Sequence, residues 1–392
     1  MRLAVFEPHS GGHRADYVRW AAEGLRASNH EVLLGASSEV LMHPALQELL
    51  RCRDVRSVCL EVPAVVTRAR NHRLQLLRRQ LLYRSYFSKL FALSCREHKL
   101  DGLVVPYLDY CLYAFAALGV PFGRVPWCGI TMRMDSTALS RPLSTQALGM
   151  GLLCRSRSLR SVFTIDPRFS GQQAATPAGS FGKLLPLPDP VDTPAVGNRQ
   201  RIRLELGIPD EAVVVLVFGT LDSRKGIEHL LLGMLHSERS ANIKALLVGR
   251  LTSTAKALVS QPRWQTLRDR DALLTIDRYV LNNELADVFA ASDAAWLGYV
   301  GHQHTSGVFI LAAASGLPII ATQEGAIGYL AGKVSLTTQV APGDAQEVAA
   351  ALNRLGRDRH RRRDPEECQQ VAAAHSPIQF GKRIAAQFEP PG

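Results

Sequence analysis

The sequence predicts an α/β fold with two domains, each of which alternates strands of a doubly wound sheet with helices. The length of 392 residues fits two domains at roughly 100–200 residues each. In both halves, short apolar runs alternate with longer amphipathic stretches. A proline-rich segment, residues 183–198, interrupts this alternation once before it starts again. A content of 46% hydrophobic and 21% charged residues is sufficient for a buried core in each domain.

The first half begins with the order strand, glycine loop, helix, strand. The apolar run "RLAVFE" is followed by the turn "PHSGGHR", the amphipathic stretch "ADYVRWAAEGLRASN" and a second apolar run, "HEVLLGAS". This order is typical of the start of a doubly wound α/β domain. Three further buried strands are predicted at "LDGLVVP", "RVPWCGIT" and "SVFTID", with helical stretches between them.

The segment "KLLPLPDPVDTPAVGN" is predicted to connect the two domains, because proline interrupts both helices and strand ladders. The first domain is therefore predicted at residues 1–185 and the second at residues 186–376. A last helix is predicted at about 377–388, after a His-Ser-Pro break. We expect residues 377–392 to cross back to the first domain.

The second half repeats the alternation of strands and helices. Its predicted strands are "AVVVLVFG", "IKALLVGR", "LLTIDRYV", "AAWLGY" and "PIIAT". Its predicted helices include "NELADVFAAS", "SGVFILAAASG" and "DAQEVAAALNRLG". The chain is thus predicted to contain two α/β units of the same kind.

The composition argues against several classes of protein. No apolar run approaches the ~20 residues that a membrane-spanning helix needs. The N-terminal stretch "MRLAVFEPHSGGH" has too short an apolar run for a signal peptide. The seven cysteines are scattered, and none forms a CxxC pair. The sequence therefore predicts a reduced, cytoplasmic protein without a structural zinc site.

Positive charge is concentrated in the first half. Residues 1–190 hold 24 basic and 14 acidic side chains, which gives +10, whereas residues 191–392 hold 22 and 21, which gives +1. The stretch 68–99 combines arginines with leucines and aromatic residues at helical spacing. Such a helix either lies on the anionic inner face of a membrane or packs its apolar side on the sheet and exposes its arginines to water. No recognised nucleic-acid motif accompanies the charge, so nucleic acid is not expected as a partner.

The stretch "FGTLDSRKGIEHLL" places two cations between a strand and a helix. The strand ends at Gly219, a polar loop carries Arg224 and Lys225, and Gly226 precedes an amphipathic helix. A helix N-terminus presents free N–H groups and a partial positive charge, which favour phosphate binding. Lysine adds a mobile point charge, and arginine adds a two-pronged donor. The loop is therefore predicted either to hold a phosphate or to be only a solvated helix start.

The second half resembles glycosyltransferases of the GT-B fold, and most closely those of glycosyltransferase family 4. The resemblance is carried by the loop just described and by "LPDPVD", "RYVLNNELADVFAASDAAWLGY" and "SGVFILAAASGLPIIATQEGAIGYL". It covers most of residues 185–385. The resemblance implies two facing Rossmann-like domains with the active site in a cleft, the acceptor on the first domain and a nucleotide-diphosphate sugar on the second. It also implies a retaining, hexosyltransferase-like enzyme that needs no metal and no tightly bound cofactor.

In the family, the lysine before the helix glycine holds the diphosphate of the donor, and Lys225 matches it. Thr220 stands directly after Gly219, where the family often has an arginine, so Arg224 is the candidate second cation. Further candidate contacts follow a later strand, where small residues let backbone amides approach a phosphate and hydroxyls donate to it. They are Thr305, Ser306 and Gly307.

The family's two glutamates, which lie eight positions apart, are missing from this chain. The first, which contacts the donor sugar, falls on Gln303 or His304, and the second, which contacts the ribose, falls on Leu311 or Ala312. Histidine suits proton transfer near neutral pH. His304 is therefore a candidate contact to the sugar or the phosphate, and a surface histidine without a role fits the sequence as well.

Two further loops of the second domain hold candidates. Glu324 and Gly325 follow the last predicted strand, and Glu324 either accepts hydrogen bonds from sugar hydroxyls or caps the next helix. By resemblance, the loop "TIDRYV" meets the nucleotide base, on which its side chains could stack. The candidate contacts there are Arg278, Tyr279 and Val280.

In the first domain, the turn "PHSGGHR" places Gly12 and His13 at the start of the first helix. The glycines let a sugar approach the backbone, and His13 and Arg14 are candidates to bind it, unless this is a plain strand–helix turn. The family's cleft histidine is missing from "GITMRMDS", where Arg133 or Asp135 stands instead. Asp135 either polarises an acceptor hydroxyl or caps a helix.

The sequence thus predicts a glycosyltransferase that moves a sugar from a nucleotide-diphosphate sugar to a hydroxyl of a carbohydrate, lipid-linked or small-molecule acceptor. The predicted catalytic residues are Arg224, Lys225, His304, Glu324 and His13. The alternative is a non-catalytic GT-B-like protein that binds a nucleotide or serves as an assembly subunit. The missing glutamates favour this alternative, and the retained phosphate-binding residues favour the enzyme.

Overall fold

A computed structural model of the protein describes residues 1–63, 72–169, 181–194, 196–238, 242–280, 282–357 and 362–389. The chain divides into two compact units. The first unit contains residues 1–189 and 377–392, and the second contains residues 190–376. Each unit is built around one parallel sheet.

The sheet of the first unit has seven strands in the order β3-β2-β1-β4-β5-β6-β7. The strands are β1 Arg2–Glu7, β2 Glu31–Ala36, β3 Val55–Cys59, β4 Gly102–Val105, β5 Trp127–Thr131, β6 Leu159–Thr164 and β7 Leu184–Pro186. The helices are α1 Arg14–Ala27, α2 Ser38–Leu41, α3 Gln47–Leu50, α4 His72–Glu97, α5 Leu112–Leu118, α6 Ser136–Leu139 and α7 Thr145–Cys154. The strand order reverses between β1 and β4, and ligands bind at such a point in open α/β sheets.

Helices cover both faces of this sheet. Alternate residues of β1 enter two separate hydrophobic clusters, with Phe6 in one cluster and Val5 in the other. The Val5 cluster also contains residues of α1 and of a C-terminal helix, Pro377–Ala385. These two helices touch through glycine, because a Cβ placed on Gly24 would lie 2.2 Å from the Cα of Gly381. The C-terminal helix is therefore an integral part of the first unit.

Helix α4 packs one side against the sheet of the first unit. Its buried hydrophobic side chains, all in one cluster, are Tyr83, Tyr86, Phe87 and Leu90. Fully burying such a side chain contributes ~1.5–3 kcal/mol to the free energy of folding. This side of the helix is therefore held firmly in the core. The first turns of the helix differ, because their leucines remain exposed. These are Leu74, Leu76, Leu77 and Leu81.

The expected helix 68–99 is thus observed from His72 to Glu97. Residues 64–71 lie outside the described residues. Leu76 does not share the buried side of this helix, because its side chain is exposed. None of the described helices is long and apolar enough to cross a membrane.

The sheet of the second unit has six strands in the order β10-β9-β8-β11-β12-β13. The strands are β8 Val213–Phe218, β9 Ile243–Val248, β10 Leu273–Ile276, β11 Ala294–Leu297, β12 Ile319–Thr322 and β13 Thr337–Val340. The helices, continuing the numbering, are α8 Arg199–Glu205, α9 Ile227–His236, α10 Ser253–Val259, α11 Gln265–Arg268, α12 Asn282–Ala291, α13 Gly307–Ala314, α14 Gly325–Ala331, α15 Ala345–Arg357 and α16 Pro365–Ala374. The C-terminal helix of the first unit is α17.

A buried ion pair ties α8 to the sheet of the second unit. Arg203 donates to Asp293 at 2.7 Å, and both side chains are almost fully buried. Asp293 also accepts from Arg199 at 2.7 Å and from the amide of Val214 at 2.8 Å. A buried charge is tolerated only when it is paired and hydrogen-bonded, as here. The start of the second unit is thereby fastened to β8 and β11.

The predicted fold class is confirmed, because both units are Rossmann-like α/β domains with parallel sheets. Some boundaries differ from those predicted. The strand expected over "LLTIDRYV" ends at Ile276. The proline-rich segment contributes a short strand, β7, which lies at the edge of its sheet. An edge position tolerates Pro186, because proline cannot donate to a central ladder.

Candidate functional site

The loop after β8 is fixed to the neighbouring strand before it reaches its two cations. Gly219 has a φ of 102°, and its amide donates to the carbonyl of Val248 at 3.0 Å. The amide of Leu221 donates to the carbonyl of Arg250 at 2.9 Å. Because this conformation of Gly219 is strained for other residues, glycine is needed where the strand turns into the loop.

Lys225 is the buried cation of this loop. Its side chain is placed so that Nζ donates to the hydroxyl of Tyr299 and lies 4.3 Å from the centroid of the same ring. The residue is only 8% exposed. In the part of the chain that the structure describes, Lys225 forms no ion pair with a carboxylate. A buried ammonium held only by neutral groups favours the binding of an anion.

The backbone around Lys225 is held by the strand β11 and the residues after it. The indole of Trp296 donates to the carbonyl of Lys225 at 2.8 Å, and the amide of Val300 donates to the carbonyl of Arg224 at 2.9 Å. Gly226 has a φ of 62°, and a Cβ there would lie 2.0 Å from the carbonyl oxygen of Gly298. The glycine therefore permits a backbone contact that fixes where α9 begins.

Arg224 differs from Lys225 in both exposure and pairing. It is more than half exposed, with 58% of its side chain accessible. Its guanidinium forms two hydrogen bonds to Asp222, at 3.0 and 2.6 Å. An anionic ligand would have to share this arginine with Asp222. Its role as the second cation stays a prediction, as does any contact made by Thr220.

The loop between β11 and α13 meets Lys225 through Tyr299. The Tyr299 hydroxyl lies 3.3 Å from Oγ of Ser306, which is the N-terminal cap residue of α13. The Ser306 side chain makes no hydrogen bond to the helix backbone. Gly307 follows as the first residue of that helix, and Thr305 precedes the cap. Lys225, Tyr299 and Ser306 thus form one continuous polar contact at the start of α13.

The same loop contains His302, whose structural role is not evident from the sequence. His302 donates from Nε2 to the carbonyl of Thr305 at 3.1 Å and packs edge-on against Tyr299. Burial is the main cause that lowers the pKa of His302, and the nearby His304, Arg224 and Lys225 lower it further. His304 packs edge-on against His302, with ring centroids 5.9 Å apart. His302 is therefore a neutral support for the loop that presents His304.

Glu324 lies beside this loop. A Cβ on Gly325, whose φ is 64°, would lie 2.8 Å from the carbonyl oxygen of His302. The amide of Ala326 donates to the carbonyl of Gln303 at 3.1 Å. Glu324 occupies the N-terminal cap position of α14, but its exposed side chain makes no capping hydrogen bond. The capping role considered for it is therefore not observed.

The two positions that can correspond to the second missing glutamate are apolar. Ala312 is fully buried in the core of the second unit, and Leu311 is partly buried against the same core. A carboxylate at Ala312 would have to be desolvated without a partner. Neither position therefore offers a carboxylate.

The three residues of the expected base-binding loop are in different environments. Tyr279 is 79% exposed, so its ring is accessible for stacking. Arg278 makes two hydrogen bonds to Glu284, at 2.8 and 2.7 Å. Val280 is buried in the core. Only Tyr279 presents an accessible aromatic face here.

In the first unit, the glycine turn after β1 is open. Gly12 has a φ of 69° and nothing lies within 4 Å of a Cβ built on it. His13 is exposed and lies 3.7 Å from Asp16. Arg14 lies over the rings of Tyr107 and Tyr110, at 4.9 and 5.3 Å from their centroids. The turn therefore leaves room for a ligand at Gly12 and directs Arg14 to an aromatic group.

Asp135 caps a helix, which is one of the two roles that the sequence suggests for it. It accepts hydrogen bonds from the amide and the hydroxyl of Thr137, at 3.0 and 2.8 Å. It also pairs with Arg168 at 3.2 Å, and Arg168 in turn binds Asp166. A carboxylate with these partners is poorly suited to act as a base.

A buried polar cluster at the end of β1 was missed by the sequence analysis. Glu7 is buried; its Oε1 accepts from the amide of His9 at 3.1 Å, and its Oε2 has no partner among the described residues. Burial raises the pKa of Glu7 well above its usual value. His9 lies 2.5 Å from the hydroxyl of Tyr83, and its ring also contacts Tyr110. The only signal in the sequence is a glutamate at the end of an apolar strand.

Among the described residues, no group of three or more His, Cys, Asp or Glu side chains is arranged to hold a metal ion. The described ionisable residues of the candidate site instead supply positive charge from Lys225 and Arg224, and negative charge from Asp222 and Glu324.

Comparison with known proteins gives a family model and a set of solved structures. Residues 212–358 match the family model described as "Glycosyl transferases group 1". This range includes the Lys225 loop and the residues from Tyr299 to Gly325. The comparison with curated proteins gives no match.

The solved structures match almost the whole chain at low sequence identity. A sucrose-phosphate synthase from Thermosynechococcus elongatus has a TM-score of 0.69 and 18% identity, over 99% of this chain and 97% of that one. HepE from Anabaena, solved with UDP, has a TM-score of 0.70 and 15% identity, over 99% of both chains. An α,α-trehalose-phosphate synthase from Burkholderia vietnamiensis has a TM-score of 0.65 and 14% identity, over 99% of this chain and 97% of that one.

These likenesses extend over both units of the chain. The chain therefore has the GT-B fold of two Rossmann-like domains, and its residues 212–358 match the group 1 glycosyl transferases.

Proposed function

We propose that the protein is a glycosyltransferase that moves a sugar from a nucleotide-diphosphate sugar to an acceptor hydroxyl, with retention of configuration. The observation that carries this proposal is Lys225, a buried ammonium at the start of a helix whose described contacts are to neutral groups. Ser306 and the N-terminus of α13 adjoin it through Tyr299. In this proposal the second unit binds the donor and the first unit binds the acceptor, as in family 4 enzymes.

The proposed chemistry is stabilisation of the leaving diphosphate. When the bond between the sugar and the diphosphate breaks, negative charge grows on the diphosphate oxygens. Lys225 and the backbone N–H groups at the start of α13 are suited to stabilise that charge. Because the cation is part of the chain, the proposal requires no metal ion and no tightly bound cofactor.

The contacts normally made by the missing glutamates are assigned to other residues. We assign the donor sugar to Glu324, with Gln303, His304 and Gly325, because the loops after β11 and β12 meet there. A carboxylate accepts hydrogen bonds from sugar hydroxyls. Tyr279 is assigned to the base, because its ring is accessible for stacking. His13 and Gly12 are assigned to the acceptor side.

We expect a uridine nucleotide to stabilise the protein against heat, because HepE, a structural neighbour, was solved with UDP. The test is a thermal-shift panel of UDP, GDP, ADP and their sugars, combined with an assay of nucleotide release from each sugar. At a ligand concentration one hundred times the dissociation constant, binding adds about 2.7 kcal/mol to the stability of the native state. If no nucleotide shifts the melting temperature, the transferase proposal is wrong.

The alternative function is a non-catalytic nucleotide-binding or assembly subunit. It is favoured by Ala312, which lies fully buried at one of the two positions that can correspond to the ribose glutamate. This alternative predicts a thermal shift with UDP but no nucleotide release with any sugar donor and any acceptor. The two functions are therefore separated by the same pair of measurements.

We also propose that the protein is cytoplasmic and docks on the anionic inner face of a membrane through the first turns of α4. Leu74, Leu77 and Leu81 are exposed at helical spacing, and Arg78 lies between them. Apolar side chains flanked by arginine favour insertion at an anionic lipid surface. The tyrosines of the same helix are buried in the core, so only these first turns are available.

The double variant Leu77→Ser/Leu81→Ser is expected to lose flotation with vesicles that contain phosphatidylserine, because each exposed leucine no longer enters the lipid. Leu204→Ser is the matched control, since Leu204 is an exposed leucine on α8 in the other unit. If the wild-type protein floats equally with neutral and anionic vesicles, the proposed docking on an anionic membrane is wrong.

A further inference from the structure

We propose that the first unit carries a binding site for an anionic hydroxyl compound, such as a sugar phosphate or a uronic acid, at the carboxyl edge of β4 and β5. The site is a cavity of about 180 Å³. This volume is more than about ten times the ~10–15 Å³ that one water molecule needs. The side chains that carry the inference line this cavity, and they are Arg79, Tyr107, Asp109, Tyr110 and Arg133.

The position of the cavity follows from the sheet. Asp109 lies shortly after β4, Thr131 is the last residue of β5, and Arg133 follows it. In open α/β sheets, ligands bind outside the carboxyl ends of the strands. The cavity therefore lies at the edge of the sheet where the topology favours a ligand.

The lining of the cavity carries net positive charge. Arg79 and Arg133 both line it, and neither guanidinium forms an ion pair with a carboxylate in the described part of the chain. Among the described residues that line the cavity, Asp109 is the one acidic residue. Two guanidiniums against one carboxylate favour a ligand that brings its own negative charge.

Asp109 is already used by the protein. Its carboxylate accepts from the hydroxyl of Thr131 at 2.9 Å and from the amides of Met132 and Arg133 at 2.9 and 3.1 Å. These hydrogen bonds fix the segment that carries Arg133. Both oxygens of Asp109 already accept hydrogen bonds from neutral donors, and among the described residues Asp109 forms no ion pair with either arginine.

The aromatic part of the lining is formed by packed tyrosine rings. Tyr110 is 2% exposed, and its hydroxyl has no hydrogen-bond partner among the described residues. Its ring is stacked on Tyr83 at 4.6 Å and lies 4.7 Å from Tyr107, so the hydroxyl is held in place. A buried polar group without a partner is rare in native proteins. This hydroxyl itself is closed to solvent, so Tyr110 contributes its ring and not its hydroxyl to the wall of the cavity.

Part of the lining is held by hydrogen bonds and ring contacts within the protein. Gln80 donates to the carbonyl of Asp109 at 3.0 Å and accepts from the amide of Tyr113 at 3.1 Å. Arg79 lies over the ring of Tyr110, 5.5 Å from its centroid. Since these groups are already ordered, little conformational entropy is lost when a ligand binds.

The role of the compound as acceptor rests on the proposed function. In that case a hydroxyl oxygen of the compound forms the new bond to the sugar carbon while the bond from that carbon to the diphosphate breaks. The departing diphosphate takes the bonding electrons and the hydroxyl proton. The binding site itself does not depend on the transfer and is tested without a donor.

The experiment is calorimetric titration of the full chain with glucose 6-phosphate, glucuronate, inorganic phosphate and neutral glucose. We expect glucose 6-phosphate or glucuronate to bind more tightly than either inorganic phosphate or glucose. Arg79→Gln and Arg133→Gln should each weaken that binding by at least about tenfold, because each removes a charge-assisted hydrogen bond. Arg78→Gln is the matched control, since Arg78 is exposed on the same helix and does not line the cavity.

Each other outcome overturns the inference. Equal affinity for neutral glucose would mean that charge is not recognised, and equal affinity for inorganic phosphate would mean that hydroxyls are not. Unchanged affinity in both arginine variants, or no binding of any anion, would mean that the cavity is not the site. Lys225→Met should leave this binding intact. Loss of binding in Lys225→Met would show that the anion binds at Lys225 and not in the cavity. A chain that binds these compounds but no nucleotide would uphold the site and refute the proposed function.

Discussion

Replacing Lys225 with methionine is expected to weaken UDP binding by about ten- to a hundredfold, because the phosphate loses a charge-assisted hydrogen bond worth ~1.5–3 kcal/mol. Methionine is unbranched and adaptable, so it can fill the buried position under Tyr299 without a charge. Turnover should fall further than binding. The contact strengthens as charge grows on the leaving diphosphate, and loss of one such donor typically lowers kcat by ~100- to 1000-fold. Calorimetry with UDP and an assay of nucleotide release measure the two effects separately.

Lys333→Met is the matched control for this experiment. Lys333 also lies 4.3 Å from a ring centroid, that of Tyr329, and its Nζ is 2.7 Å from that hydroxyl. It is exposed and belongs to the same unit, but it lies outside the candidate site. Its replacement should leave UDP binding unchanged. If Lys225→Met binds UDP as tightly as wild type does, the phosphate site has been assigned to the wrong loop.

Much of the fold was predictable because most central strands are continuous apolar runs. β1, β8 and β9 are buried almost throughout, as expected of parallel strands covered on both faces. The strands that were missed lie at the edges of their sheets. β3 has three exposed residues of five, and β13 is mainly polar, so neither gives an apolar run. Edge strands have fewer neighbours, and their sequences are therefore less constrained.

The candidate site was predictable only where its signal is local. Lys225 and Gly226 are adjacent in sequence to a strand and a helix, and their pattern was visible. The contact of Lys225 with Tyr299 joins residues 74 positions apart, and nothing in the local sequence indicates it. The pairing of Arg224 with Asp222 is local, but it depends on side-chain rotamers, which the sequence pattern does not report.

The same limit applies to the first unit. His9, Tyr83 and Tyr110 come from the turn after β1, from α4 and from a short 3₁₀ helix, and their rings meet only in the folded chain. Their partners are set by tertiary packing, which spacing along the sequence does not report. By contrast, the helical spacing of Tyr83, Tyr86 and Leu90 indicates an apolar side of α4 that can pack on the sheet. These three residues are buried.

Gly226→Ala is expected to destabilise the second unit by about 2–5 kcal/mol, for two separable reasons. An L-residue in the left-handed conformation costs ~1–2 kcal/mol, and φ is 62° at Gly226. In addition, the new Cβ would lie 2.0 Å from the carbonyl oxygen of Gly298, and relieving such overpacking costs ~1–3 kcal/mol. Since a change of 1 kcal/mol moves the melting temperature by roughly 2–4 °C in a domain of this size, thermal unfolding detects the effect.

Gly301→Ala separates the two reasons, because it changes the backbone conformation without a collision. Gly301 has a φ of 63°, and nothing lies within 4 Å of a Cβ built on it. This variant should therefore lose only the ~1–2 kcal/mol of the left-handed conformation. The difference between the two variants measures the close approach of Gly226 to Gly298, which holds the backbone of Lys225 next to β11. If both variants lose the same stability, that approach does not fix the loop, and the position of Lys225 must depend on its contacts with Tyr299 and Trp296 and on the hydrogen bond from Val300 to Arg224.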